Sequence, residues 1–178
     1  MPHFNPTYQH TIQKNTSSQD YQIPYLNGHK KSRNMPNSTQ VIKDYGPYPF
    51  VVNIEKVTKA NDTFRTVLWT GDSLQLTLMS IPPGESIGLE IHNDVDQFLR
   101  IEDGTGLVMM GDQPNQLDFQ QTVSASDAFV VPAGTWHNVL NIGSTPLKLY
   151  SIYAPPHHPF GTVHQTKADA EAAENPNK

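Results

Sequence analysis

From about position 41 onward, short apolar runs of the length expected for strands alternate with clusters of Gly, Pro, Asp, Asn and Ser. Thr63–Thr70 (TFRTVLWT) and Leu74–Ile81 (LQLTLMSI) flank Gly71-Asp72-Ser73, a tight-turn sequence. Pro82-Pro83-Gly84 ends the second run, because proline cannot donate to a ladder. Further runs follow at Ile87–His92, Gln97–Glu102, Gly106–Met110, Gln116–Val123, Ala128–Val131, Trp136–Asn141 and Leu147–Tyr153, with turn residues between each pair. Phe50–Ile54 (FVVNI) reads as an earlier short strand and Glu55–Asp62 as a polar helical turn or loop. This spacing predicts an all-β sandwich or barrel.

The flanks differ. Residues 1–40 are rich in Asn, Gln, Ser, Thr, Pro, Tyr and His and show neither helical nor strand periodicity, which predicts a flexible N-terminal tail. His3, His10 and His29 lie there without ligand spacing, and Tyr8, Tyr21, Tyr25 and Leu26 offer docking side chains. After Ala154 an irregular PPHHPFGTVHQ leads into Thr166–Glu174, where Thr166 and Asp169 resemble a capping box opening a short helix. The expected organisation is a tail over 1–40, a β-barrel over 41–156, and a C-terminal loop and short helix over 157–178.

Composition narrows the functional classes. Of 178 residues, 36% are hydrophobic, consistent with part of the chain lying outside the core. The net charge of −5 gives no electrostatic case for nucleic acid or an anionic membrane. No apolar run is long enough for a transmembrane helix, and no basic-then-apolar leader opens the sequence, so a cytoplasmic address is expected. Cysteine is absent, so a metal site must be built from His, carboxylate or amide groups.

Such groups cluster in Gly84–Gly104 (GESIGLEIHNDVDQFLRIEDG). Glu90 and His92 are two apart and share one face of a strand. Gln97 heads the next run across a polar turn, so a β-hairpin would bring the three together. His137, in VVPAGTWHNVLN, adds a second imidazole from a later strand. A carboxylate, two imidazoles and an amide are nitrogen and oxygen donors suited to a divalent metal.

The same two stretches resemble the paired motifs of the cupin superfamily of small jelly-roll β-barrels. Gly84, Glu90, His92, Gln97 and Gly104 fall at the spacing of the first motif, G-x5-H-x-H-x3-4-E-x6-G. Pro132, Gly134, His137 and Asn141 match the second, G-x5-P-x-G-x2-H-x3-N, with Ser126 at its first glycine. The resemblance covers roughly residues 50–155 and implies a cupin barrel with a flexible N-terminal extension and a short C-terminal helix. Carried over residue by residue, it implies Glu90, His92, Gln97 and His137 as metal ligands. Glu90 stands for a histidine and Gln97 for the glutamate, so carboxylate and imidazole have changed places. Zn, Mn, Fe and Ni are all candidates, with open positions left for water or substrate.

Other residues weigh less. Alternation puts Arg100 on the face opposite Gln97, and Trp136 is expected to pack on the rim. Tyr150 and Tyr153 point to opposite faces, so at most one sees the pocket. His157, His158 and His164 read as surface residues, lining the entrance only if their loop folds over the mouth. Gln75, Thr77 and Met79 line the cavity in one of the two strand phases. The resemblance to short single-domain cupins likened to mannose-6-phosphate isomerases implies a metal-dependent enzyme acting on a small polar carbonyl or sugar-like molecule, with Glu90 able to move a proton. The alternatives are a non-catalytic module binding a metal or small ligand, and an iron-dependent dioxygenase using Glu90, His92 and His137. Lys148 and Arg100 stand alone, so no cluster for a sugar phosphate is evident. Small cupins resemble one another in pairing, which implies a homodimer.

Overall fold

A computed structural model describes residues 42–174. The residues before this range, including the histidines and tyrosines of the N-terminal stretch, lie outside the described residues. Within it, nine strands and two helices follow in order: α1 (Ile54–Ala60), β1 (Arg65–Thr70), β2 (Gln75–Ile81), β3 (Asp96–Asp103), β4 (Thr105–Gly111), β5 (Phe119–Ser124), β6 (Ala128–Val131), β7 (Trp136–Asn141), β8 (Leu147–Ala154), β9 (Val163–His164) and α2 (Lys167–Glu174). They form a six-stranded sheet ordered β6-β3-β8-β2-β1-β9 and a three-stranded sheet ordered β5-β4-β7. Sequence neighbours in separate sheets, and β8 inserted between β3 and β2, give the antiparallel jelly roll that the turn spacing and paired motifs predict.

Strand alternation divides the barrel interior into two zones. Met79, Ile81, Leu99, Ile101, Leu147 and Leu149 of the larger sheet meet Val108, Val123 and Val139 of the smaller one, all buried. Toward the other end, the inward positions of β2, β8 and β3 carry Gln75, Tyr153 and Gln97 in one register row, each at most 1% exposed. Thr77 and Ser151 form the next row and share a 2.7 Å hydroxyl hydrogen bond. One end of the barrel is thus hydrocarbon, and the other is lined with polar groups that need partners.

Two predicted strands are not strands. Phe50–Asn53 carries no ladder, and Ile54 already belongs to α1, whose N-terminus is capped by Asn53 Oδ1 accepting from Lys56 N at 2.9 Å. The apolar alternation of Phe50, Val52 and Ile54 serves another purpose. These residues pack with Val57, Leu68, Leu78 and Tyr150 on the outer face of the larger sheet. The second is Ile87–His92, which makes one isolated bridge, Glu90 to His137, instead of a regular ladder. It also forms no hairpin with Gln97–Glu102, because β3 is paired on both sides, by β6 and β8. The segment instead runs along β7, with bonds from Ile87 N to Val139 O and from Gly84 N to Asn141 O, both 3.1 Å. Asn141 closes this corner, its amide donating to Ile81 O and Thr145 O at 2.8 Å each.

Ser126 occupies the first glycine position of the second motif and takes φ 78°, the left-handed conformation that glycine supplies without a Cβ penalty. It lies on the turn between β5 and β6 and is exposed. Relief of the left-handed strain, about 1–2 kcal/mol, outweighs the extra chain entropy of glycine, about 0.5–1 kcal/mol. Ser126→Gly is therefore expected to raise unfolding stability by about 0.5–1 kcal/mol, read as a higher denaturation midpoint with an unchanged m-value.

Candidate metal centre

The site is assembled by backbone pairing. Glu90 N donates to His137 O at 3.0 Å, and His137 N donates to Glu90 O at 2.9 Å. This reciprocal antiparallel pair sends both side chains to the same face. His92 follows two residues later, its carbonyl accepting from Gly134 N at 2.7 Å. Glu90 Oε2 then lies 3.6 Å from His92 Nε2 and 3.9 Å from His137 Nε2. The three donor atoms all fall within 4.8 Å of one another. Two donors held by one cation at about 2.0–2.2 Å stand roughly 3–4 Å apart, so the spacing suits a divalent ion.

The protonation states suit it too. His137 Nδ1 lies 3.0 Å from the Thr135 carbonyl, which can only accept, so Nδ1 carries the proton and Nε2 presents a lone pair to the centre. Burial lowers the His137 pKa, against the opposing pull of Thr135 and Glu90, and keeps the ring neutral. Burial alone would raise the Glu90 pKa, but His92, Arg65 and His137 outweigh it and hold the carboxyl below its usual range. His92 Nε2 and His137 Nε2 are buried without a hydrogen-bond partner among the described residues. Such atoms are costly unless something fills the space between them. The residues present therefore fit a bound metal.

Gln97 sits where inward alternation puts it, on β3 beside Tyr153 and 1% exposed. Its Oε1 is another buried atom without a partner. Tyr153, not Tyr150, faces the pocket: its ring lies 5.7 Å from that of His92, and Tyr150 packs with Phe98 on the outer face. Burial pushes the Tyr153 hydroxyl up to about 12, so it stays a neutral donor. Arg100 lies on the outer side as expected, ion-paired with Glu102. Lys148 is buried elsewhere, 2.9 Å from Asp62.

Two features were not anticipated. The first is Arg65, a charged residue in the inward phase of β1 and only 1% exposed. Its guanidinium donates to Glu90 Oε1 at 3.2 Å and to Glu174 of α2 at 3.4 Å. A lone arginine on the inward phase of TFRTVLWT is the signal that could have found it. The second is the path of the chain after β8. His157 is exposed, as expected, but its ring packs 4.2 Å from that of His92, and the half-buried His158 lies 5.1 Å from Tyr153. Gln75 holds this segment down. Its Oε1 accepts from His158 N at 2.9 Å and from His157 N at 3.3 Å, while its Nε2 donates to His158 O at 2.8 Å. β9 then pairs with β1, setting His164 opposite Arg65. Thr166 and Asp169 exchange the reciprocal bonds of a capping box to start α2. The mouth that remains is a cleft of about 370 Å³, where Leu89, Trp136, His157 and Glu174 surround Glu90 and His92.

Gln75→Ala removes four hydrogen bonds and leaves the part-buried peptide groups of His157 and His158 without these partners. It should cost about 1–3 kcal/mol and accelerate amide exchange at His157 and His158 while exchange in β4 and β7 is unchanged. His158 gives a pH signature. Burial, aided by Arg65, lowers its pKa from 6.5 to about 2. Below pH 6.5 the unfolded chain binds a proton that the folded protein refuses. The contribution present above that pH is therefore lost as pH falls. His158→Gln should flatten the acid limb of a plot of melting temperature against pH.

Comparison with known proteins places this geometry. The cupin domain family matches residues 77–153. The chain is 68% identical over 135 residues to the uncharacterized protein YrkC of Bacillus subtilis, covering 76% of this chain and 73% of that one. It is 42% identical over 115 residues to an uncharacterized protein of Acanthamoeba polyphaga mimivirus, covering 64% and 70% respectively. The crystal structure of BH2720 from Bacillus halodurans superposes with a TM-score of 0.73 at 64% identity, over 74% of this chain and 99% of that one. Arg65 and the closing segment with His157, His158 and Glu174 lie outside the matched span. With both motifs in place, the jelly roll built, and the Glu/His/His cluster at its polar end, the chain belongs to the cupin family.

Proposed function

We propose that this protein is a divalent-metal enzyme in which Glu90, His92 and His137 hold the cation and Gln97 is a fourth donor. The observation that carries the reading is the convergence of Glu90 Oε2 with two buried, unpartnered imidazole nitrogens, one of them fixed in the ligating tautomer by Thr135. A bound divalent ion would supply Lewis acidity toward an oxygen of the substrate or of water.

The protein's own groups define the rest. Arg65 holds Glu90 Oε1 and leaves Oε2 for the centre. The Arg65 guanidinium beside it favours the ionised Glu90 carboxyl, so we assign it to holding the cation and not to moving a proton. Tyr153 packs its ring against His92 from the barrel interior, and His157 narrows the mouth and limits water. The cleft volume suits a small molecule, and its lining contains no lysine or arginine to receive a phosphate. A small polar carbonyl compound, processed by isomerase-like chemistry, fits this pocket. Two histidines and one carboxylate are also the donors of non-haem iron oxygenases, which favours an iron-dependent dioxygenase as the second reading.

Elemental mass spectrometry on protein purified without an affinity tag tests the centre. Near one equivalent of a transition metal is expected in the wild type and little in His92→Ala or Glu90→Ala, with folding of each variant checked by circular dichroism. Zinc or manganese would favour the first reading and iron the second. A wild type that takes up none of Mn, Fe, Ni or Zn would overturn both.

A further inference from the structure

The cleft at the centre has two kinds of wall. Glu90, His92, His157 and Glu174 give it polar groups, and Leu89, Ile91 and Trp136 give it hydrocarbon. The apolar residues are neighbours of the donors along the chain. Leu89 and Ile91 flank Glu90, and Trp136 directly precedes His137. The backbone pair that joins Glu90 to His137 therefore fixes the apolar wall within one residue of two metal donors.

This apolar wall is not part of the interior. None of its three residues belongs to either hydrophobic core. Leu89 is 45% exposed, and Ile91 and Trp136 are half-buried. One exposed leucine needs no explanation, but three large apolar side chains lining one cleft beside metal donors form a surface suited to a ligand. Covering them removes hydrocarbon from water, and the gain grows with each methylene buried. A polyol would fare worse there. Its hydroxyls would give up water and meet side chains that offer them little in return. An anionic substituent is disfavoured as well, because the half-exposed charged group at the mouth is the Glu174 carboxylate.

Building on the cation reading above, we propose that the substrate is amphiphilic, with an oxygen-bearing head for the metal and a short uncharged hydrocarbon substituent seated on Leu89, Ile91 and Trp136. These three residues then set specificity, and they narrow the small carbonyl compound to one with an apolar side. The cleft of about 370 Å³ limits that substituent to a few carbons.

Cobalt(II) and linear hydroxamic acids are the probes. Acetohydroxamic, butanohydroxamic and hexanohydroxamic acids share one chelating head and differ only in chain length. Cobalt binding to tag-free protein is first titrated alone by calorimetry. The affinity of each acid is then measured with cobalt below one equivalent, so that none is free. Affinity should rise by about two- to fourfold per methylene. Leu89→Gln should flatten this rise. Val130→Gln, at an exposed apolar position on the outer face of β6, should preserve it. Equal wild-type affinity for the three acids would overturn the apolar subsite and leave the metal centre standing. A rise that persists unchanged in both Leu89→Gln and Trp136→Gln would also overturn it, because the hydrocarbon would then lie elsewhere. No cobalt binding would overturn the centre and the proposal with it. Circular dichroism checks the fold of each variant, and the wild-type series remains a test even if a variant fails to fold.

Discussion

Glu90 is a carboxylate at the inner end of a barrel, and an ionised carboxylate there is tolerated only with partners. The structure partners one of its oxygens and turns the other toward the centre. Oε1 faces the Arg65 guanidinium, and Oε2 faces the two imidazoles. Arg65 in turn reaches Glu174, so three elements far apart in sequence meet at one charge: the segment along β7, strand β1 and the C-terminal helix. Removing Arg65 would strand a buried anion, and removing Glu90 would strand a buried cation; either loss is of the kind that costs about 3–5 kcal/mol. The arrangement is poor evidence of net stabilisation and good evidence that the carboxylate is fixed in one orientation.

That fixed orientation depends on the barrel's two-zone interior. The hydrocarbon zone of Leu99, Ile101, Leu147 and Leu149 supplies the burial that holds the sheets together. The polar zone contributes little of that and collects atoms without partners instead. Natural interiors avoid such atoms, so their concentration at one end separates the part of the fold that holds from the part that binds. Gln75 marks the boundary. It has the inward position of a core residue, yet its amide is spent on pinning His157 and His158 over the mouth.

The strands of this fold were legible because alternation and turn chemistry act locally. β1 to β8, Ser126 at a glycine position and the Thr166–Asp169 box can all be read within a few residues. The misreadings came from tertiary context. Phe50–Ile54 has strand-like alternation because it packs on a sheet face, and that pattern does not reveal whether a partner edge is free. Ile87–His92 was assigned to its sequence neighbour, although both edges of β3 were already taken. The Glu/His/His donors survived this error, since what unites Glu90 with His137 is a bridge to β7 that the motif spacing encodes without naming. Arg65, Gln75 and the closing segment were not legible as a group. Their contacts span 25 to 109 residues, and no local pattern carries such a pairing.

The exchange of carboxylate and imidazole between the first-motif positions has a structural consequence that a list of donors hides. At position 97 a carboxylate would stand on β3, in the row of Tyr153 and Gln75, with paired strands on both sides. At position 90 it stands on an irregular segment that crosses to β7 and comes within reach of β1. The charge has moved from the middle of the larger sheet to the side where the chain returns as β9 and α2. Arg65 of β1 pairs with it there, and Glu174 in the last turn of α2 joins the same guanidinium. The departures from the family pattern at 90 and 97, the buried Arg65 and the C-terminal closure are then one arrangement: relocating a single negative charge makes the other three physically coherent.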